Sequence, residues 1–351
     1  MNVAYKKILK AAVAAPSGDN SQPWQFVFRE PNVLEFHAVP ERDNAALNVD
    51  QSGTFIALGA AIENAELEAK ALGFAPHTRL AEGDTLAIMT LTAGGNCPER
   101  ERILQGGIVL RHSNRKAYTK TPLLPEDRIA LVDAAGDRKG ESLTFIEEPD
   151  AMASVARALT TMEEIALSNK TLHKLFFDSI FWSKERNDAG EQGLYIKTLE
   201  LPPPAQLFFK VLRHWPVASV LARIGFPKVV ATTNAKQNAS ASAFGVIRIK
   251  RYERAGYIEA GRLLERVWLA SAARGMSLQI VTGLLFLARA AQGSTSTLFS
   301  GAERETIQAA YTRVREHLTG SEEPFLIFRV GYGDAPSAVS CRKAPAIVTA
   351  P

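Results

Sequence analysis

The sequence predicts an α+β protein in which two related units are fused in one chain. Strand-like and helix-like runs alternate along its 351 residues. A helical pattern that begins at Phe55 recurs at Tyr257, and an insertion without acidic residues interrupts the second half. A chain of this length is long enough for two domains with buried cores.

The first half predicts a helix, a hairpin, a second helix and a strand, in that order. The first helix ends before Pro16, because proline restricts the residue that precedes it. The apolar runs Phe26 to Phe28 and Val33 to Ala38 predict a hairpin. Apolar residues at helical spacing predict a helix from Phe55 to Phe74, and Leu86 to Leu91 predicts a strand.

The second half contains the same kinds of element. Thr144 to Ile146 predicts a short strand, and helical patterns fill residues 150–185. Phe244 to Lys250 and Phe325 to Val330 predict further strands.

The two recurring helical patterns align without a gap. Gly59 matches Gly261 and Gly73 matches Gly275, while Glu63, in the middle of the first pattern, matches Glu265. Two amphipathic helices can resemble each other through periodicity alone, but coincident glycines near both ends favour a duplication. We place the first unit at residues 1–105 and the second at residues 106–351.

The insertion covers about residues 200–240 and has no counterpart in the first unit. It predicts two helices, Leu207 to Trp215 and Val217 to Ile224, and no acidic residue occurs from Leu201 to Tyr252. Its apolar side chains need a surface to cover, so we expect a lid over a ligand site. The side chains that carry this expectation are Leu207, Phe208, Phe209, Leu212 and Trp215. An anionic membrane surface is an alternative, although Trp215-Pro216 more simply suggests a packed helical corner.

Composition narrows the function classes. A formal net charge of +4 suits anionic small molecules and does not favour nucleic acid. Cys97 and Cys341 lie far apart without histidines at ligand spacing, so neither a disulfide framework nor a metal site is expected. No apolar stretch reaches membrane-spanning length. The first helix is punctuated by lysines, which favours a cytoplasmic protein over a signal peptide.

Three segments carry the residues from which a ligand site could be built. The loop from Pro16 to Trp24 reads Pro-Ser-Gly-Asp-Asn-Ser-Gln-Pro-Trp and could hydrogen-bond a flat heterocycle, or be a surface turn. Arg111, Ser113 and Arg115 would share one face of a strand and could clamp a phosphate, or form a solvated basic patch; His112 would point away. Arg342 and Lys343 follow a glycine-rich turn and could be an ordinary basic tail.

These segments together resemble the nitroreductase family of FMN-binding flavoproteins. The loop matches that family's pattern Pro-Ser-x-x-Asn-x-Gln-Pro-Trp, and Arg-x-Ser-x-Arg resembles its phosphate-binding segment. The layout is similar to the Acg-like branch. In the family, the flavin lies in a dimer interface. Because the loop occurs only in the first unit and Arg-x-Ser-x-Arg only in the second, the resemblance implies one composite site in an intramolecular pseudo-dimer with a nitroreductase-like fold.

The resemblance also implies roles for individual residues. Arg111, Ser113 and Arg115, assisted by Arg342 or Lys343, would hold the FMN phosphate and ribityl chain. The flavin ring would face a group of loop residues: Pro16, Ser17, Gly18 and Asn20. Where the family has Glu-Gly near the reactive flavin edge, this chain has Thr282-Gly283, which could still offer backbone amides.

The implied activity is reduction of a nitroaromatic, a quinone or a similar planar acceptor by NAD(P)H. No Gly-x-Gly-x-x-Gly follows a predicted strand, so a resident nicotinamide site is not expected. The alternative is a flavin-storage protein whose insertion shields FMN. The pseudo-dimer could act as a monomer or pair as a homodimer.

Overall fold

Alternating apolar strands in the first part of the chain pair into a five-stranded sheet. The computed structural model describes residues 3–350 except 30, 45, 84, 137–142, 294–296, 320–322 and 346. The sheet order is β11-β1-β2-β4-β3. Its strands are β1 (Trp24–Arg29), β2 (Val33–Ala38), β3 (Phe74–Leu80), β4 (Thr85–Ala93) and β11 (Ile347–Ala350). The predicted hairpin is confirmed, with Phe26 opposite Phe36 in β1 and β2.

The last strand connects the two predicted units. Strand β11 comes from the end of the chain and pairs in parallel with β1, placing Phe26 beside Ile347. The boundary proposed between residues 105 and 106 therefore does not separate two self-contained sheets. The end of the chain wraps back and completes the sheet of the first unit.

The second sheet has four antiparallel strands in the order β5-β8-β10-β9. They are β5 (Leu143–Ile146), β8 (Ala243–Arg248), β9 (Ser277–Ile280) and β10 (Pro324–Gly331). Every residue of β8 and β10 is buried, as expected for central strands covered on both faces. The strands predicted near 144, 244 and 325 are confirmed, whereas β9 was not predicted. Two further short strands, β6 (Ile180–Phe181) and β7 (Leu194–Tyr195), pair separately.

Helices cover both sheets. Those of the first half are α1 (Val3–Val13), α2 (Ser52–Ala71) and α3 (Glu99–Gly107). Those after it are α4 (Pro125–Ala134), α5 (Pro149–Leu159), α6 (Thr161–Ser168), α7 (Lys170–Asp178), α8 (Lys184–Asp188), α9 (Pro203–Leu212), α10 (Trp215–Arg223), α11 (Phe226–Asn238), α12 (Arg254–Ala273), α13 (Gly283–Gln292) and α14 (Gly301–Arg315). Within the described residues, no helix has the length and apolar character needed to cross a membrane.

The recurring helical patterns form α2 and α12, which pack directly against each other. A β-carbon on Gly59 would lie 2.1 Å from the Ile258 carbonyl oxygen, and one on Gly261 would lie 2.0 Å from the Ile56 carbonyl oxygen. These two contacts are reciprocal, because Ile56 and Ile258 occupy matching positions on the two helices, as Gly59 and Gly261 do. Such close backbone approach requires glycine on each side.

Each of the paired helices ends in the same way. Gly73 follows α2 with φ +84° and Gly275 follows α12 with φ +71°, the left-handed conformation that commonly terminates a helix. The helix predicted to run to Phe74 therefore ends earlier, and Phe74 opens β3 instead. The matched glycines thus have matched structural roles, as a duplication predicts.

The insertion forms a lobe made of α9, α10 and α11. Its helices share a hydrophobic cluster with α7 and the β6–β7 segment, in which Leu212 is buried. Trp215 packs edge-on against His173, with ring centroids 5.3 Å apart. This agrees with the helical corner suggested by Trp215-Pro216. The sequence missed α11, because its apolar residues lack clear helical spacing.

We predict that Gly59→Ala and Gly261→Ala each lower the free energy of unfolding by roughly 1 to 3 kcal/mol or more, because the new methyl group would collide with backbone. Gly106→Ala is the matched control, since a β-carbon there meets nothing within 4 Å. That control should be neutral or slightly stabilising. Urea unfolding of the three variants measures the effect. Equal stabilities for all three would refute the close contact between α2 and α12.

Candidate functional site

Residues from both halves of the chain line one cavity of about 970 Å³. That volume lies within the range of small-molecule and cofactor sites. The cavity includes every site residue expected from the sequence except Lys343: Pro16, Ser17, Gly18, Asn20, Arg111, Ser113, Arg115, Thr282, Gly283 and Arg342. The structure therefore brings together segments that lie far apart in sequence.

The loop after α1 has an unusual backbone. Asp19, Asn20 and Gln22 have φ values of 46°, 57° and 50°, in a region that residues with side chains seldom occupy. The Ser17 hydroxyl accepts a hydrogen bond from the Gln22 backbone amide at 3.0 Å. Local strain of this kind persists only where surrounding contacts hold it, and it is common at binding sites.

Two amide side chains hold this loop against the second half of the chain. The Asn20 amide group donates to the backbone carbonyls of Glu191 and Cys341, each at 3.2 Å. Gln22 donates to the Gly190 carbonyl at 2.9 Å and accepts from the Lys343 backbone amide at 3.0 Å. Lys343 thus helps to position the loop through its backbone. Lys343 is not among the residues that line the cavity, and its role at a ligand site stays a prediction.

Arg111 is buried at one end of the cavity beside an acidic residue of α12. Its Nε lies 3.2 Å from Glu265 Oε1, without the geometry of a hydrogen bond. Its guanidinium also donates to the Ala14 carbonyl at 2.5 Å and lies 4.6 Å from the centre of the Trp268 ring. Burial raises the pKa of Glu265 to about 7, although the nearby Arg111 acts to lower it. A protonated Glu265 carboxyl does not neutralise the Arg111 guanidinium, so positive charge remains beside the cavity.

Arg342 adds a second cation next to Arg111. It donates to the Ala15 carbonyl at 3.2 Å and to the Ser340 carbonyl at 3.1 Å. Burial, together with repulsion from Arg111, lowers the pKa of Arg342 to about 9. The charge of Arg111 therefore acts against that of Arg342, and an anion in the cavity would relieve this repulsion.

Arg115 is a third cation that lines the cavity. It donates to the Thr198 carbonyl at 3.0 Å, and its charge interacts with the carboxylates of Asp19 and Glu200. Burial lowers the pKa of Arg115 while those carboxylates raise it. The three arginines are thus distributed around the cavity.

Strand β9 connects this cationic region with the start of α13. Ser113 forms an isolated parallel bridge with Leu278, and the chain then continues to Thr282-Gly283. The four extended residues of β9 span about 13 Å between the bridge region and the start of α13. The Thr282 hydroxyl donates to the Ile327 carbonyl at 2.9 Å and accepts from its amide at 3.0 Å. Because that side chain is occupied, the backbone amides at the start of α13 are what this corner can offer to a ligand.

The segment around Arg111 is not a strand, contrary to the sequence-based expectation. Apart from the bridge at Ser113, the backbone there is irregular. Side chains consequently do not alternate between two faces. His112, expected to point away, lines the cavity as well, and burial followed by the nearby Arg111 lowers its pKa.

The insertion does not cover the cavity. Of residues 200–240, only Asn238 lines it. Phe209 and Trp215 instead pack in the lobe, and Leu207 and Phe208 are exposed. The residues that suggested a lid therefore do not line the cavity. Their apolar surface is either covered by α7 and the β6–β7 segment or left in solvent.

Sequence patterns did not indicate several of the lining residues. Asp43, Met162 and Glu163 reach the cavity from segments without a recognisable motif. Trp268 lines the cavity from α12. Glu265, on the same helix, lies behind it beside Arg111, and an acidic residue within an apolar helix was a usable signal for it. In the sequence, Glu265 served only as evidence for a duplication, as the match of Glu63. The described residues contain no group of three or more metal-ligating side chains placed to hold an ion.

Comparisons with known proteins connect the chain with nitroreductases at low similarity. No family model matches the chain. An uncharacterised Mycobacterium tuberculosis protein is 22% identical over 340 residues, which cover 96% of this chain and 47% of that protein. Another M. tuberculosis protein, provisionally named an NAD(P)H nitroreductase, is 26% identical over 209 residues, or 58% of each chain. The chain thus spans about half of the length of the curated relatives it matches.

Solved structures of nitroreductases also resemble this chain, at lower sequence identity. A provisionally named nitroreductase from Anabaena variabilis shares 12% identity at a TM-score of 0.40, covering 95% of this chain and 74% of that chain. A Bacteroides fragilis nitroreductase with bound FMN shares 11% identity at a TM-score of 0.34, covering 67% and 90%. Both TM-scores are below 0.5, so these likenesses establish neither the detailed fold nor the ligand of this chain.

We predict that Glu265→Gln reduces the pH dependence of stability. Folding raises the pKa of this carboxyl from 4.5 to about 7, so the folded state binds the proton more tightly. The resulting stabilisation is complete below pH 4.5 and is lost as the pH rises through about 7. Between pH 5.5 and 8 that loss amounts to about 2 kcal/mol.

Urea unfolding at both pH values tests this expectation. The wild-type protein should lose about 2 kcal/mol more than Glu265→Gln over this interval, because the other titrating groups are common to both proteins. An identical loss in the two proteins would show that the pKa of Glu265 is not raised.

Proposed function

We propose that this chain binds FMN in the composite cavity and uses NAD(P)H to reduce a nitroaromatic, a quinone or a similar planar acceptor. The observation that carries the proposal is the meeting of two motif segments in one cavity. The loop of Pro16 to Asn20 and the segment of Arg111 to Arg115 both line it. The M. tuberculosis relative provisionally named an NAD(P)H nitroreductase supports the same reaction class.

The residues present fit an elongated ligand with a phosphate at one end. Arg111 and Arg342 are interacting cations that both line the cavity, and guanidinium groups match the paired oxygens of phosphate. The Arg111 Nε has no hydrogen-bond partner in the described part of the chain. Ser113 lies nearby at the start of the path along β9. This end would hold the phosphate and the ribityl chain.

The loop end of the cavity fits a flat ring with polar edges. Asn20 Oδ1 is buried without a hydrogen-bond partner among the described residues. A buried polar atom of this kind is costly unless a ligand or water completes it. A β-carbon on Gly18 would have one neighbouring side-chain atom within 4 Å among the described residues, Asp43 Oδ1 at 3.9 Å. The space beside the Gly18 backbone is therefore open, and a ring can approach it closely.

The protein's part in such a reaction is binding, orientation and control of charge. FMN, when bound, supplies a ring that accepts and returns electrons. Thr282 and Gly283 open α13, and the partial positive charge of a helix start favours negative charge on a ligand nearby. Leu47, Met162 and Phe286 add apolar surface to the cavity, on which a nicotinamide or a planar acceptor can rest.

Glycine at position 283 is needed for this arrangement. A β-carbon there would lie 2.7 Å from Met162 Cγ, so α6 can approach the start of α13 only because the side chain is absent. Thr282 stands where the nitroreductase family has a glutamate, and this difference leaves the backbone amides in place. It replaces a carboxylate with a hydroxyl group that the Ile327 backbone occupies.

Flavin storage is the alternative function suggested by the insertion. Its motivation was a lid formed by residues 200–240, yet Asn238 alone of these lines the cavity. Among the described residues, the insertion therefore offers little cover for a ligand in the cavity. We accordingly prefer turnover to storage.

We predict that Arg115→Ala weakens FMN binding by about tenfold to a hundredfold, because a charge-assisted hydrogen bond contributes roughly 1.5 to 3 kcal/mol. Arg213→Ala is the matched control. It removes the same charge from an exposed position in the insertion and should leave the affinity unchanged. Flavin fluorescence titration measures the dissociation constants, and circular dichroism confirms folding.

The loaded protein then distinguishes the two functions. Adding NADPH without oxygen should bleach the flavin absorbance of the wild-type protein within seconds to minutes, and adding a quinone should restore it. Flavin that binds but stays oxidised would support storage. Equal FMN affinity for Arg115→Ala and Arg213→Ala would refute the assignment of the cavity.

A further inference from the structure

The insertion exposes a cluster of large apolar side chains, which we term the insertion patch. Ile224 is 75% exposed, Leu207 is 66% exposed and Val229 is 63% exposed. The complete patch consists of Leu207, Phe208, Val211, Val220, Ile224 and Val229. Isolated apolar residues are common on protein surfaces, but several together on one lobe indicate an interaction site.

The members of the patch lie on neighbouring helices. On α9, Val211 lies four positions after Leu207 and three after Phe208, so the three side chains lie on neighbouring parts of one side of that helix. The Phe208 ring contacts the ring of Phe226, with centroids 5.4 Å apart. Phe226 begins α11, and Ile224 precedes it by two residues. This ring contact therefore joins the exposed side of α9 to the start of α11.

The same lobe also carries exposed basic residues. Five are exposed: Lys210, Arg213, Arg223, Lys228 and Lys236. Over the residues that the structure describes, none of their side chains forms an ion pair or a hydrogen bond. No acidic residue occurs from Leu201 to Tyr252. The lobe thus combines exposed apolar surface with uncompensated positive charge.

We propose that the insertion patch binds the surface of an anionic lipid bilayer. Apolar side chains would enter the boundary between headgroups and acyl chains, and the lysines and arginines would meet lipid phosphates. The charge of the lobe opposes pairing with a second copy of this chain, since two acid-free basic surfaces would face each other. The chain would lie on the bilayer surface, because no helix of the described residues could span it.

This position would hold the cavity at the membrane surface. The lobe shares its hydrophobic cluster with the β6–β7 segment, and Leu194 of that segment also lines the cavity. A planar acceptor that partitions into the bilayer would therefore be concentrated near the site. The binding surface itself does not depend on the proposed flavin chemistry.

The test measures cosedimentation of the full chain with vesicles. Vesicles of phosphatidylcholine containing phosphatidylglycerol should bind the protein, whereas vesicles of phosphatidylcholine alone should bind it far less. Raising the salt concentration should weaken binding. The double variant Leu207→Glu/Ile224→Glu should bind roughly tenfold more weakly or worse, because two exposed apolar contacts are lost.

Ile129→Glu is the matched control, since Ile129 is 60% exposed on α4, outside the insertion. It should bind vesicles as the wild-type protein does, and thermal unfolding should show that all proteins are folded. Absence of binding to anionic vesicles would overturn the proposal, and so would equal binding of the double variant. A wild-type dimer in sedimentation velocity that the double variant abolishes would overturn it too, by assigning the patch to a second copy.

Discussion

The close packing of α2 against α12 is the contact on which the rest of the structure depends. Gly59 and Gly261 each meet a backbone carbonyl of the opposite helix, so the two helix axes come closer than side chains would permit. Each helix supports its own sheet, and their pairing fixes the relation between the sheets. It also brings the loop that follows α1 within reach of the segment that begins at Arg111.

The same pairing explains the electrostatics of the cavity. Glu63 and Glu265 occupy matching positions on the two helices, but their surroundings differ. Glu63 contacts Arg262 and Arg266 in a network of ion pairs, whereas Glu265 is fully buried beside Arg111. The raised pKa of Glu265 and the lowered pKa of Arg342 leave positive charge where an anionic ligand would bind. The two matched helices thus carry different features at the same position: an ion-pair network at Glu63, and a buried carboxyl group beside the cavity at Glu265.

The sequence predicted the parts of this arrangement that depend on local pattern. Periodicity located the first hairpin and both central helices, and matched glycines indicated their relation. The failures have a common physical cause, since contacts distant in sequence decided them. Arg111 and His112 lie on irregular backbone held by the second half of the chain. The end of the chain completes the first sheet as β11, and the insertion packs against α7 instead of covering the cavity.

Diffraction from crystals grown with FMN tests the central claim most directly, that one site is assembled from both halves of the chain. The account predicts density for a single flavin. Its phosphate should contact Arg111 or Arg115, and its ring should lie against the loop from Pro16 to Asn20. A flavin that contacts residues of one half alone, or that binds outside this cavity, would contradict the composite site.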